Sequence, residues 1–346
     1  MIRTLIWEPL ASNMSDVSTI VIAPDGPLHS ISFGALPGKR HESYLIEEYG
    51  FARVPSPAEL QYLLSTSWTD AVPAKNVLVV GGIDYDNHGI DESKTKNRFR
   101  TRGLRQSNSD NMNFSPLPGT EGEIWTIKHK YETNFGKDGF TLFTNAHASE
   151  EAFCTQAPNH LYLHLATHGY FAPPVLRTRW DKMKRAYSEA FGDSHEIHPG
   201  LESAVVFAGV NLIHNSNSST GDGVLTAWEA SLLDLRRTAF VVLSACETGI
   251  GEDLSSIQRA FHVAGARTIV ASLWKVSDSA TRDLMERLYD NLWNKEMGKL
   301  EALREAQLWM LRERGSRGLT DLDQDKEIKR LPPFYWAAFV LSGDWR

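Results

Sequence analysis

The chain has 346 residues, 42% apolar and 23% charged, enough for one large globular domain or two ordinary ones with a buried core. Its 36 Lys and Arg against 43 Asp and Glu give a formal charge of -7, which argues against the broad basic footprint of a nucleic-acid binder. No apolar run reaches the ~20 residues that span a bilayer. The N-terminal stretch is short and carries Glu8, unlike a secretory signal, and two cysteines make no disulfide framework. The expected setting is a reducing cytoplasm, away from membranes and nucleic acid.

The first elements read as mixed α/β. A strand is expected over 19–23, followed by a Pro-Asp-Gly turn at 24–26. A further strand or strand pair lies in YLIEEYGFARVPS, and a helix over 56–68 starts at Ser56-Pro57. NVLVVGGIDY, 76–85, is a short apolar run ending in Gly-Gly, the pattern of a buried strand. Residues 86–114 are polar and charged and read as a long loop. It holds Arg98, Arg100, Arg102 and Arg105, either as a solvated basic loop or as one that binds a partner or is cleaved.

A helix within 118–131 places Ile124, Ile127 and Tyr131 near one face. A strand over 140–145 and a short helix over 148–157 follow, with Cys154 inside the helix as a small packed hydrophobe. HLYLHLATHGYF, 160–171, alternates as a strand and ends at Thr167-His168-Gly169. Loops are expected over 172–200 and 214–223, a strand over 202–210, and a helix over 224–235 with Leu225, Trp228 and Leu232 on one face. TAFVVLSAC and RTIVASLWKV read as strands around a helix in EDLSSIQRAFHVAGA, with two more helices over 278–294 and 299–314. Strands alternating with helices of this length imply an α/β fold with a largely parallel sheet. No internal repeat of 20–50 residues is visible in the chain. We divide it into an N-terminal part, 1–75, packing on a core of 76–346.

In such sheets, chemistry gathers at the carboxyl ends of the strands. His168 and Cys246 both stand at expected strand ends. Cys246 is a packed thiol, part of a phosphate cradle, or a nucleophile. A phosphate cradle fits poorly. The residues after it, Glu247 to Asp253, contain no lysine and two late carboxylates, and Glu252 stands where a phosphatase-like loop needs arginine. At a strand end before a glycine turn and a helix start, backbone N–H groups and the helix dipole stabilise a thiolate. The same turn supplies an oxyanion donor. Imidazole suits the base and the later acid of thiol attack on an amide. Gly169 admits a substrate carbonyl and offers a second oxyanion N–H. The competing readings are an inert thiol and a hydrogen-bonded structural histidine. His164, inside the strand, reads as structural.

HLATHGYF, VVLSACETGIG, AGARTIVASLWKVSDSAT and FYWAAFVLSGDW, in this order, resemble the CHAT domain, a group of caspase-like peptidases related to separase and in one clan with gingipains. VIAPDGPLHSISFGALP and LPGTEGEIWTI extend the resemblance over nearly the whole chain. SACETG departs from the caspase form Q-A-C-[RQG]-G, and 78 residues separate His168 from Cys246, against about 50 in that form. The polar loops account for the excess. The resemblance implies a caspase-like three-layer α/β sandwich. It implies a regulated cysteine endopeptidase, with Cys246 as nucleophile, His168 as general base and acid, and the N–H groups of Gly169 and Cys246 as oxyanion hole. No cofactor or metal is implied, and the partners are a protein substrate and an activating or regulatory protein. SLWKVSDSAT resembles the separase stretch lining the pocket for the residue before the cut. Asp278 there would favour Arg or Lys, or else Ser277 or Asp278 caps the next helix. Trp274 lines that pocket or belongs to the core. The alternative to an enzyme is a non-catalytic CHAT-fold interaction module or scaffold.

Overall fold

A computed structural model describes residues 2–14, 16–66, 76–87, 114–171, 203–215, 222–244, 254–313 and 330–346. The strands are β1 Thr19–Ile22, β2 Gly50–Arg53, β3 Val77–Ile83, β4 Phe140–Asn145, β5 Tyr162–Leu165, β6 Gly169–Phe171, β7 Ser203–Val206, β8 Val224–Thr226, β9 Phe240–Leu243, β10 Thr268–Ser272 and β11 Phe339–Gly343. The helices are α1 Ile2–Ile6, α2 Glu8–Ala11, α3 Pro57–Ser65, α4 Pro118–Phe135, α5 Glu150–Gln156, α6 Ala227–Ser231, α7 Leu254–Val263, α8 Asp278–Trp293, α9 Lys299–Arg312 and α10 Pro333–Trp336. No described helix is long and apolar enough to cross a membrane.

Eight strands form one sheet in the order β1-β2-β11-β10-β9-β5-β3-β4. Every neighbouring pair is parallel except β10 with β11. The expected α/β sandwich is therefore present. Its central strands are apolar on both faces, as a sheet covered on both sides requires. Successive residues point to opposite faces, so β3 sends Val77 and Val79 into one core and Leu78 and Val80 into the other. β9 splits the same way, with Phe240 and Val242 opposite Val241 and Leu243. The first core is closed by α4, α8 and α9 through Ile124, Ile127, Leu284, Leu288 and Leu303. The second is closed by α5 and α7 through Phe153, Ile257 and Phe261, and by a three-stranded sheet ordered β6-β7-β8.

The N-terminal residues join this sheet through β2, which pairs with β11 at Leu341↔Ala52 and Ser342↔Arg53. They also hold a small core of their own around Trp7, Phe33, Leu45 and Tyr49. Arg53 is buried and clamps the chain above it. Its guanidinium donates to the carbonyls of His29 at 2.7 Å and Ile31 at 2.5 Å. Burial pushes its pKa down to about 10, which leaves the cation charged at neutral pH.

Three elements differ from the sequence reading, and the first is the strand expected over 202–210, which stops at Val206 and is followed by a 3-10 helix at Val210–Asn215. The strand expected over 160–171 is two: β5 stops at Leu165, and β6 starts at Gly169 in the smaller sheet. The helix expected over 224–235 begins only after β8. Thr226 is its N-cap, accepting from the Glu229 N–H while the Glu229 carboxylate accepts from the Thr226 N–H. That capping box fixes the boundary, so Leu225 is a buried strand residue while Leu232 is 70% exposed.

Candidate active site

β5 and β9 are adjacent and parallel, with Leu165 opposite Leu243. The pairing continues one step further, where the Ser244 N–H donates to Leu165 O at 2.9 Å. His168 follows Leu165 by three residues, and Cys246 follows Leu243 by three. Both chain segments leave the sheet at the same carboxyl end. Cys246 itself lies outside the described residues, as do Arg98, Arg100, Arg102 and Arg105, and most of the three expected loops.

His168 is 2% exposed. Its Nε2 is 2.8 Å from Ser115 O. A carbonyl only accepts, so Nε2 carries the hydrogen, and the neutral ring has its lone pair on Nδ1. The Tyr85 and Phe114 rings pack against the imidazole, with centroids at 5.1 and 5.5 Å. The Thr167 hydroxyl donates to Val206 O at 2.5 Å, so it accepts from the Tyr85 hydroxyl 3.2 Å away. The backbone is held as well, since the Val206 N–H donates to His168 O at 3.1 Å.

Gly169 is opposite Val205 in the antiparallel β6–β7 pair. The neighbouring pair, His168 with Val206, exchanges the ladder bond. Hydrogen-bonded and non-hydrogen-bonded pairs alternate in such a ladder. The Gly169 N–H is therefore turned away from β7.

The other expected site residues have visible partners. Asp278 is the first residue of α8 and exposed, and its Oδ2 accepts from the Gly119 N–H at 3.0 Å, at the start of α4. Ser277 is the N-cap of α8 by position, without a capping side-chain bond. Trp274 is half-buried against the first core, and its indole N–H donates to Phe334 O at 2.9 Å. His164 is fully buried, 3.0 Å from a Glu123 carboxylate oxygen and 3.1 Å from the Tyr289 hydroxyl. Burial, and then the Glu123 charge, push the Tyr289 phenol well above its ordinary range. This trio ties β5 to α4 and α8 and stands apart from the chemistry. Cys154 is half-buried in α5, and burial with the nearby Glu150 and Glu229 pushes its thiol up to about 12. Among the described residues, no group of His, Cys, Asp and Glu is arranged to hold a metal ion.

The contributors that escaped the sequence reading are the Tyr85 and Phe114 rings, the Ser115 carbonyl and Asn211, whose side-chain amide binds Phe114. A main-chain carbonyl has no side-chain signature.

A mostly parallel sheet between two helical layers, with a histidine at the end of a central strand beside the strand that leads to a cysteine, defines the caspase-like class of α/β folds. The sequence matches the CHAT domain family over residues 1–344, and the chain belongs to that family. It is 23% identical over 287 residues to Tetratricopeptide repeat protein 28 of Mus musculus, and 22% identical over 290 residues to that of Homo sapiens. Each alignment covers 80% of this chain and 10% of the relative, so the chain spans about a tenth of the length of these proteins. Among solved structures, the Arg specific cysteine proteinase gingipain R is similar, with a TM-score of 0.50 and 10% identity. That match covers 99% of this chain and 67% of the gingipain chain. The Saccharomyces cerevisiae separase–securin complex gives a TM-score of 0.44 at 13% identity, covering 93% of this chain and 15% of that one.

Proposed function

We propose that the protein is a regulated cysteine endopeptidase using Cys246 and His168. The observation that carries this reading is the Leu165↔Leu243 register, from which both residues follow at the same three-residue offset. His168 Nδ1 takes the thiol proton, and Sγ attacks the carbonyl carbon of the scissile peptide. The Gly169 N–H, with that of Cys246, receives the oxyanion. The imidazolium then protonates the leaving amine as the C–N bond breaks, leaving a thioester. Water, deprotonated by His168, hydrolyses the thioester to the acid and frees the thiol. In this reading Asp278 and Trp274 border the pocket for the residue before the cut, and Asp278 favours Arg or Lys there. The reducing cytoplasm is the compartment that keeps such a thiol free.

The test is cleavage of a diverse peptide library read by mass spectrometry, wild type beside Cys246→Ala. Cuts that depend on Cys246 support the dyad. If they fall after Arg or Lys and fade in Asp278→Asn, the pocket assignment holds; cuts after other residues reject it. Absence of cuts, with and without candidate activators, rejects the peptidase.

The burial of His168 under Tyr85 and Phe114 favours a second reading, in which the domain is a non-catalytic interaction module. Thiol labelling separates the two. At pH 7, iodoacetamide is expected to modify Cys246 and spare Cys154, whose high pKa leaves almost no thiolate. Equal, slow labelling of both cysteines under every activating condition would favour the module.

A further inference from the structure

We infer that Asn211 is a positioning residue for His168, acting through Phe114 and Ser115; the role rests on the peptidase reading above. Asn211 belongs to a short 3-10 helix, Val210–Asn215, directly after the β7 segment. Its side-chain Oδ1 accepts from the Phe114 N–H at 2.9 Å, and its Nδ2 donates to Phe114 O at 3.0 Å. One amide thus satisfies both main-chain groups of Phe114, as a neighbouring strand would. Nδ2 also donates to Asp86 Oδ1 at 2.9 Å, and the Asn211 backbone N–H donates to Tyr85 O at 3.0 Å.

These bonds converge on the imidazole. Phe114 and Tyr85 are the rings packed on His168, and Ser115, next to Phe114, carries the carbonyl that accepts the Nε2 hydrogen. A single side chain therefore holds Phe114 and, through it, the neighbouring acceptor that selects the tautomer with its lone pair on Nδ1, while Tyr85 is held by the Asn211 main chain and by Thr167. Only asparagine supplies this set at this length: one acceptor and two donors in a plane. Aspartate has the same shape but no donor, and it would face the Asp86 carboxylate. The main chain of His168 is anchored separately by Val206. A merely structural Asn211 would consequently leave the ring's state unchanged when altered.

The experiment is long-range proton–nitrogen NMR on the full chain labelled at histidine nitrogens, with His168 assigned from a His168→Gln sample. In the wild type, His168 is expected as a single Nε2–H tautomer. In Asn211→Asp, a mixture with the Nδ1–H tautomer is expected. Where peptidase activity is measured, kcat is expected to fall roughly 10- to 100-fold with KM little changed, as for a small misplacement of a reacting group. Asp86→Asn keeps an acceptor for Nδ2 and is expected to match the wild type in both readouts. If Asn211→Asp fails to fold, Asn211→Ser, which keeps one donor and one acceptor, carries the same expectation in smaller measure. A folded Asn211→Asp or Asn211→Ser whose His168 stays wholly in the Nε2–H form overturns the assignment. The tautomer needs no substrate, so it decides the role of Asn211 even if the wild type cleaves nothing and the peptidase reading falls.

Discussion

Replacing His168 with alanine is expected to lower Cys246-dependent cleavage roughly 10³- to 10⁴-fold, the upper part of what a positioned acid–base group contributes. Two losses act together. A thiol near its ordinary pKa of about 8.5 is only a few per cent thiolate at pH 7. Without the imidazole, neither a paired thiolate nor a proton for the leaving amine remains. The iodoacetamide reaction of Cys246 at pH 7 should slow in the same variant, because alkylation reads the thiolate directly. The fold should survive. The removed ring leaves a small void and one unsatisfied carbonyl at Ser115, a cost of about 1–3 kcal/mol, while Val206 and Leu165 still anchor the backbone on either side. Cleavage within tenfold of wild type in a folded His168→Ala would remove His168 from the mechanism. His164→Gln separates position from residue type: it alters a buried pair with Glu123, so its effect should fall on thermal stability, with the pH profile of cleavage unmoved.

The sheet was legible because its central strands are short β-branched runs bounded by turns. VLVV and FVVL have few other stable uses than a strand covered on both faces. The end of β5 was not legible, since the run continues past Leu165 into β6 and only the pairing shows that the two strands belong to different sheets. Nor were the residues that surround His168. Ser115 acts by its main chain, and Asn211 acts on a segment nearly a hundred positions earlier, a contact that no local pattern announces. The helix placed over 224–235 failed because its apolar spacing also fits a strand joined to one helical turn. The Thr226 and Glu229 capping box, present in the sequence, marks that junction. Asp278 illustrates a further limit. Its acidic residue type suits a pocket for a basic side chain, yet one of its oxygens is engaged by the Gly119 N–H. That bond joins the first turns of α4 and α8, and only tertiary structure reveals it.

Acidification is expected to destabilise the protein through His262 in α7, the helix that follows the segment containing Cys246. The ring is held at both nitrogens. Nδ1 is 3.0 Å from Ala266 O, so it donates, and Nε2, 3.0 Å from Ser342 Oγ, accepts from that hydroxyl. Burial lowers its pKa from the ordinary 6.5 to about 4, while the Ala266 bond opposes the shift. The folded state thus keeps the ring neutral where the unfolded chain would protonate it. The contribution to stability is intact above pH 6.5 and is lost as pH falls from 6.5 to about 4, by up to about 3 kcal/mol. Space for relaxation is small, since Gly343, at φ 94°, lies so close that an added Cβ would stand 2.6 Å from His262 Cε1. Urea unfolding of wild type and His262→Gln at pH 7, 5.5 and 4.5 measures the effect. Glutamine carries no proton-linked charge and retains a donor and an acceptor, so the variant should be the less stable at pH 7 and lose less stability on acidification. Equal losses in the two proteins would assign the acid sensitivity to the carboxylates instead.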